Sequence, residues 1–150
     1  MFYCGRRFDD AVQSCKRSLA LNPKIIQSHA YLGDSLYQLG KIAEARAAYL
    51  AESEAILRHT GLAIVERRAG NRTAAVAALA ALKEAFGDGS AYQQAQISAQ
   101  WGEAEAALAL LLVAERIGDV GLTLAKTDPL LDPLRAVPEF SRLLNRLGFS

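Results

Sequence analysis

Apolar residues recur every three or four positions along most of this chain. Each stripe leaves polar residues on the opposite side, the pattern expected of an amphipathic α-helix. Strict alternation of β-branched residues, which would favour strands, is absent. The pattern therefore predicts an all-α fold. Three of the stripes are His29, Leu32, Leu36 and Leu39; Ile42, Ala45, Tyr49 and Ile56; and Ala75, Leu79, Leu82 and Phe86.

Glycines separate these helical stretches at regular places. Gly40, Gly70 and Gly102 each end one stretch and precede the next by a few residues. Glycine suits a helix C-terminus because it adopts the left-handed conformation freely. Connections this short make neighbouring helices antiparallel, so the chain is predicted to be a series of helix hairpins.

The predicted hairpins repeat along the sequence. An alanine follows each turn glycine at the same spacing, at positions 45, 75 and 107, and Ala11 holds the equivalent place one unit before Ala45. The pair His29 and Leu32 recurs as His59 and Leu62. We expect the small alanine where two helices cross too closely for a larger side chain.

A helix-turn-helix unit of this period, best seen in HAYLGDSLYQLGKIAEARAAY, resembles the tetratricopeptide repeat (TPR). The resemblance implies a right-handed TPR superhelix of antiparallel helix hairpins with a C-terminal capping helix. Residues 1–127 would comprise the repeats and 128–150 the cap. The repeats would be a half-repeat 1–24 and repeats at about 25–57, 58–87 and 88–118.

The C-terminal third, with DPLLDPLR followed by a Pro-x-Phe helix, resembles the end of TPR segments in large bacterial signalling proteins. In those proteins the segment follows an adenylate/guanylate-cyclase-type domain or a winged-helix domain. The resemblance implies that this chain is the regulatory C-terminal part of a longer protein.

The tail also predicts its own local structure. The pairs Asp128-Pro129 and Asp132-Pro133 are typical helix starts, and Pro138 opens a last helix. The apolar side chains of that helix are expected to cap the end of the repeat array. They are Phe140, Leu143, Leu144 and Leu147.

Composition excludes several classes of partner. The net charge of +1 leaves no electrostatic footprint for nucleic acid or an anionic membrane. The longest apolar runs, 74–82 and 106–113, are about half the length of a membrane span. The first ten residues lack the apolar core of a secretion signal. We therefore expect a cytoplasmic protein with neither nucleic-acid nor membrane partners.

Candidate catalytic groups are few. His29 and His59, the two histidines, hold equivalent places in successive repeats, so helix packing explains them better than a catalytic or metal-binding role. Cys4 and Cys15 match no disulfide framework or metal pattern. GDGS at 87–90 has neither the strand nor the lysine of a phosphate loop. We expect no enzyme activity, no metal and no cofactor.

The resemblance places a concave partner-binding groove on the first helix of each hairpin. Tyrosine, glutamine and arginine there suit an extended or helical peptide. For Arg67 and Arg68 the alternative is an ordinary solvated helix end. The lysine–asparagine clamp that grips a peptide C-terminus in this family is absent. The implied groove residues are Gln27, Asp34, Tyr37, Gln38, Ile64, Arg67, Arg68, Tyr92, Gln96 and Gln100.

A second hypothesis is self-association, or docking within a longer chain to regulate a fused catalytic domain. Half a repeat precedes the first full hairpin, which would leave Phe2, Phe8 and Val12 on an open N-terminal edge. A homodimer through that edge is the corresponding expectation.

Overall fold

The computed structural model describes residues 3–149, and this part of the chain contains helices and no strand. The prediction of an all-α fold is therefore confirmed. The α-helices are α1 (Phe8–Leu21), α2 (Ser28–Gln38), α3 (Ile42–Ala51), α4 (Ala55–Arg68), α5 (Arg72–Phe86), α6 (Ala91–Gln100), α7 (Ala104–Ile117) and α8 (Pro138–Arg146). Three 3-10 helices lie at Gly87–Ser90, Val120–Leu124 and Pro129–Leu134.

The chain forms two compact units. The first ends at Leu82 and the second begins at Lys83. The first contains α1 to α4 and most of α5. The second contains α6 to α8 and the three 3-10 helices.

The turn glycines behave as the sequence predicts. Gly40, Gly70 and Gly102 have φ values of 74°, 87° and 82°, in the left-handed region. At each turn the residue after the glycine donates its amide to a carbonyl five residues earlier, the bond of a Schellman motif. These bonds are Lys41 N to Leu36 O at 2.9 Å, Asn71 N to Glu66 O at 2.8 Å and Glu103 N to Ser98 O at 2.9 Å.

The alanines that follow the turns are fully buried, as expected for close helix contacts. Ala45, Ala75 and Ala107 are each 0% exposed. The buried alanine is therefore present after each of the three glycine turns.

The core of the first unit is organised around the fully buried ring of Tyr49. A Cβ added to Gly33 on α2 would lie 2.6 Å from that ring, and one added to Gly61 on α4 would lie still closer. Only glycine leaves room for the ring at these two places. The Tyr49 hydroxyl donates to Asp34 Oδ1 at 2.7 Å.

The connection from α3 to α4 corrects one predicted boundary. Ile56 belongs to α4, which begins at Ala55, and not to the helix of Tyr49, which ends at Ala51. The reason is Glu52, whose backbone is extended and whose side chain is buried. Its carboxylate accepts the amides of Ala30 at 2.9 Å and Glu54 at 3.0 Å. It thereby satisfies a free amide in the first turn of α2.

The N-terminal edge is less open than expected. Val12 is only 4% exposed and Phe8 is half-buried. The Tyr3 ring lies 5.9 Å from the Phe8 ring and 6.2 Å from that of Tyr31. Phe2 lies outside the described residues.

The core of the second unit joins α6, α7, the following segment and α8. The last helix begins at Pro138 as predicted, and Phe140 and Leu143 are buried. Asp128 starts the 3-10 helix Pro129–Leu134, whereas Pro133 lies inside it, so the second predicted helix start was wrong. Asp132 instead pairs with Arg135 at 3.1 Å.

Candidate functional site

Tyr92, Gln96 and Gln100 lie on one side of α6 because they are spaced four residues apart. The Tyr92 hydroxyl and the Gln96 amide donate to Asp128 Oδ2 at 2.8 and 2.7 Å. The Gln100 amide donates to the carbonyl oxygen of Leu130 at 2.7 Å. All three predicted groove residues of this helix therefore bind the segment 128–134 of the same chain. We call this surface the α6 face.

Asp128 is the centre of this arrangement. It is 4% exposed, and its second oxygen, Oδ1, accepts the amide of Leu130 at 2.9 Å. Its backbone carbonyl accepts a bond from Arg135 Nη2 at 3.2 Å. One carboxylate thus caps the 3-10 helix and binds it to α6 at the same time.

Tyr92 is also packed along its ring. A Cβ on Gly121 would lie 2.7 Å from two ring carbons, so the backbone crosses the ring in close contact. The Gly121 amide is held by Asp119 Oδ1 at 2.8 Å. Gly121, Asp128 and the 3-10 helix Pro129–Leu134 therefore all contact α6.

Segment 128–134 is part of the buried interior of the second unit. Leu130, Leu131 and Leu134 are all buried. Burying a leucine side chain is worth about 1.5–3 kcal/mol, so three contribute roughly 5 kcal/mol or more. A partner peptide would have to exceed that to displace the tethered segment, which occupies the α6 face.

The first unit brings together a different pair. The Arg68 guanidinium, from α4, lies 5.8 Å from the centroid of the Tyr37 ring, on α2. This separation is within range of a cation–π contact. Burial raises the pKa of Tyr37, and the nearby charge and hydrogen bond of Arg68 oppose that rise. We call this pair and the adjoining Gln38 and Arg67 the Tyr37–Arg68 face.

The remaining groove predictions of the first unit have varied environments. Gln27 is exposed, with a left-handed φ of 68°, one residue before α2. Asp34 is half-buried and holds Tyr49. Ile64 is 1% exposed and contributes to the core rather than to a surface. Gln38 and Arg67 are half-buried and Arg68 is exposed.

Glu66 is a buried charged residue whose place the sequence did not explain. It is 4% exposed, pairs with Arg46, and accepts a bond from Asn71 at 2.7 Å. Burial alone would raise the pKa of this carboxyl, but the bonds from Asn71 and Arg46 prevail and lower it. This pairing joins α3 to α4 and to the turn that follows.

The histidines and cysteines are half-buried. Burial, and then the charge of Arg58, lower the pKa of His59. Burial, and then Asp34, raise the pKa of the Cys15 thiol, which makes the reactive thiolate rarer. Within residues 3–149 no group of three or more His, Cys, Asp or Glu side chains is arranged to hold a metal ion.

Comparison with known proteins found no match to this chain among protein-family models, curated proteins or solved structures. None of the helices between residues 3 and 149 combines the length and apolar character needed to cross a membrane.

Proposed function

We propose that this chain is a non-catalytic protein–protein interaction module, a TPR scaffold that binds a peptide or partner domain. In this proposal it is the regulatory C-terminal part of a larger bacterial signalling protein. The sequence resemblance suggests the family. Three hairpins with the same glycine turn and the same buried alanine support it.

The observation that carries the proposal is the binding of segment 128–134 by α6. Tyrosine and glutamine side chains on one helix face there hold a carboxylate and a backbone carbonyl of a segment outside the α-helices. A partner peptide offers the same two groups. The α6 face thus provides, within this molecule, an example of the chemistry we propose for a partner.

The register of the turns supports one position for the proposed partner. Gln38, Arg68 and Gln100 each stand two residues before their turn glycine. Gln100 donates to a segment that crosses its helix. Gln38 and Arg68 carry donors at the equivalent place in the first unit. Since segment 128–134 already occupies the α6 face, we assign partner binding to the Tyr37–Arg68 face.

Arginine at this position favours an acidic peptide. A guanidinium binds a carboxylate through two parallel hydrogen bonds and can remain stacked on an aromatic ring while doing so. We therefore propose that the partner segment carries an Asp or Glu side chain.

Selection from a displayed peptide library tests this function. Peptides selected on the immobilised chain should be enriched in carboxylates, and Arg68→Glu should weaken their binding by about tenfold or more, since it replaces attraction by repulsion. Arg142→Glu, at an exposed arginine of α8, is the matched control and should retain them. No enrichment, or equal loss in both folded variants, would contradict the proposal.

The second candidate is self-association or intramolecular docking. It is favoured by one observation, that α6 already binds a segment of its own chain. Light scattering over a range of concentrations tests self-association, because the mass should then rise with concentration, and a monomer throughout would count against it.

A further inference from the structure

The turn between α1 and α2 exposes a cluster of large aliphatic side chains. Leu21 is 89% exposed, Ile26 62% and Ile25 39%. All three lie at the end of α1 and in the turn 22–27 that follows it. A group of exposed aliphatic side chains is a candidate surface for contact with something apolar. We call these three residues and the turn that carries them the 21–26 tip.

Hydrogen bonds within the tip order its backbone. Asn22 N donates to Ser18 O at 2.9 Å, and Asn22 Oδ1 accepts the amide of Lys24 at 3.0 Å. The amide of Ile25 donates to Asn22 O at 3.2 Å. The aliphatic side chains are therefore displayed on an ordered turn, and little further entropy is lost when they bind.

Along the chain, the residues on both sides of the tip carry charge of one sign. Residues 11–33 contain Lys16, Arg17 and Lys24 and no aspartate or glutamate, which gives +3. All three bases are exposed. Arg17 precedes Leu21 by one helical turn and so shares its side of α1. The net charge of +1 for the whole chain conceals this local excess.

A second aliphatic cluster shows that exposure alone does not distinguish the tip. Ile117, Val120 and Leu124 are 47%, 82% and 40% exposed. Residues 115–128 carry three acids and two bases, a net charge of −1. The two clusters are alike in apolar character and differ in charge.

We propose that the 21–26 tip binds an anionic phospholipid surface, with Leu21, Ile25 and Ile26 in the acyl boundary and Arg17 and Lys24 among the headgroups. A stable protein interface buries about 800 Å² on each partner, far more than three side chains on a convex turn provide. A fluid lipid surface accepts such side chains one at a time. The tip binds at the surface of the bilayer and does not cross it.

This inference departs from the expectation, drawn from net charge, that the chain has no membrane partner. It does not depend on the proposed function, because the tip and the Tyr37–Arg68 face share no residue. Failure of either leaves the other standing.

Sedimentation with lipid vesicles tests the proposal. The chain should bind vesicles that contain phosphatidylglycerol and bind pure phosphatidylcholine vesicles far more weakly. Lys24→Gln should lower the partition coefficient about fivefold, because a basic residue near an anionic surface contributes about that factor. Leu21→Ser combined with Ile26→Ser should lower it by more than about tenfold.

The matched control is Val120→Ser combined with Leu124→Ser, which removes exposed aliphatic side chains from the second aliphatic cluster. This control should bind the anionic vesicles as the parent does, with circular dichroism verifying that every variant is folded. Three results would overturn the proposal: no binding to anionic vesicles, equal binding to neutral vesicles, or an equal loss in the control. Capture of a protein partner through the tip, without lipid binding, would also overturn it.

Discussion

The α6 face and the Tyr37–Arg68 face use the same kinds of side chain in different ways. On α6, tyrosine and two glutamines hold a segment of the same chain through three hydrogen bonds. On α2 and α4, a buried tyrosine is covered by one arginine. A helix face suited to binding is thus recognisable from side-chain types, but its occupant depends on residues far away along the chain.

We expect the largest effect on stability from replacing a leucine that holds segment 128–134 on α6. Leu131 is fully buried. Leu131→Ala should therefore lower the free energy of unfolding by about 3 kcal/mol, because it leaves a cavity. The largely exposed Val120 provides the control. Its replacement by alanine should change the free energy of unfolding by about 0.5 kcal/mol or less, as at most surface sites.

Chemical denaturation measures both variants. Similar small effects in the two would mean that the segment is loosely held.

The two aspartates of the segment sharpen the comparison further. Asp128 accepts bonds from Tyr92, Gln96 and the Leu130 amide. Asp128→Ala leaves these donors without their acceptor and should lower the free energy of unfolding by about 2 kcal/mol. Asp132 forms a partly exposed pair with Arg135. Asp132→Ala should lower the free energy by less than about 1 kcal/mol, as expected of such pairs.

Amide hydrogen exchange at Leu130 should accelerate in the Asp128 variant alone. Equal exchange in both variants would argue against a special role for Asp128.

The first unit contains the buried carboxylate of Glu66, and the contribution of this group to the free energy of unfolding should depend on pH. Glu66→Gln should lower the free energy of unfolding at neutral pH by about 1.5 kcal/mol, because bonds to a charged acceptor are lost. The folded-state pKa is below the ordinary value of 4.5. The charge therefore stabilises the fold above that value, and this contribution disappears as the pH falls through the folded-state pKa.

Denaturation curves of the parent and the variant, measured from neutral to acidic pH, should therefore converge at low pH. Glu139→Gln, at an exposed pair with Arg142, provides the control and should run parallel to the parent. A constant difference between Glu66→Gln and the parent at every pH would contradict the assignment.

The smallest effect compares the same substitution on both faces. Tyr92→Phe leaves a buried carboxylate oxygen with one donor fewer and should lower the free energy of unfolding by about 1 kcal/mol. Tyr37→Phe should have a clearly smaller effect. Arg68 is exposed and can bond to water in place of the lost hydroxyl. Thermal or chemical denaturation distinguishes the two, and a larger loss at Tyr37 would reverse the proposed difference between the faces.

The parts of this fold that the sequence predicted are local ones. Helix periodicity, the glycine turns and the alanines beyond them depend on neighbours within a few residues. The end of α3 could not be predicted, because Glu52 is drawn out of the helix by the amide of Ala30 on α2. The requirement for glycine at position 61 could not be predicted either, because the side chain that excludes a Cβ there is Tyr49, on another helix.

The candidate site follows the same rule. The spacing of Tyr92, Gln96 and Gln100 placed them on one face, as the structure has them. Sequence patterns did not indicate that Asp128 is an acceptor for two of them, although its Asp-Pro pair marked a helix start. Ile64 was placed in the groove by register alone, and the structure buries it. The roles of the predicted groove residues in partner binding stay predictions.

The Tyr49 ring, enclosed between Gly33 and Gly61 with its hydroxyl on Asp34, has a consequence for motion. A half-turn of the ring about its axis requires α2 and α4 to move apart for a moment. Its flips should therefore be slow enough to give separate NMR lines for the two sides of the ring. Because the same two helices carry Tyr37 and Arg68, the flip rate would report how often that pair of helices separates.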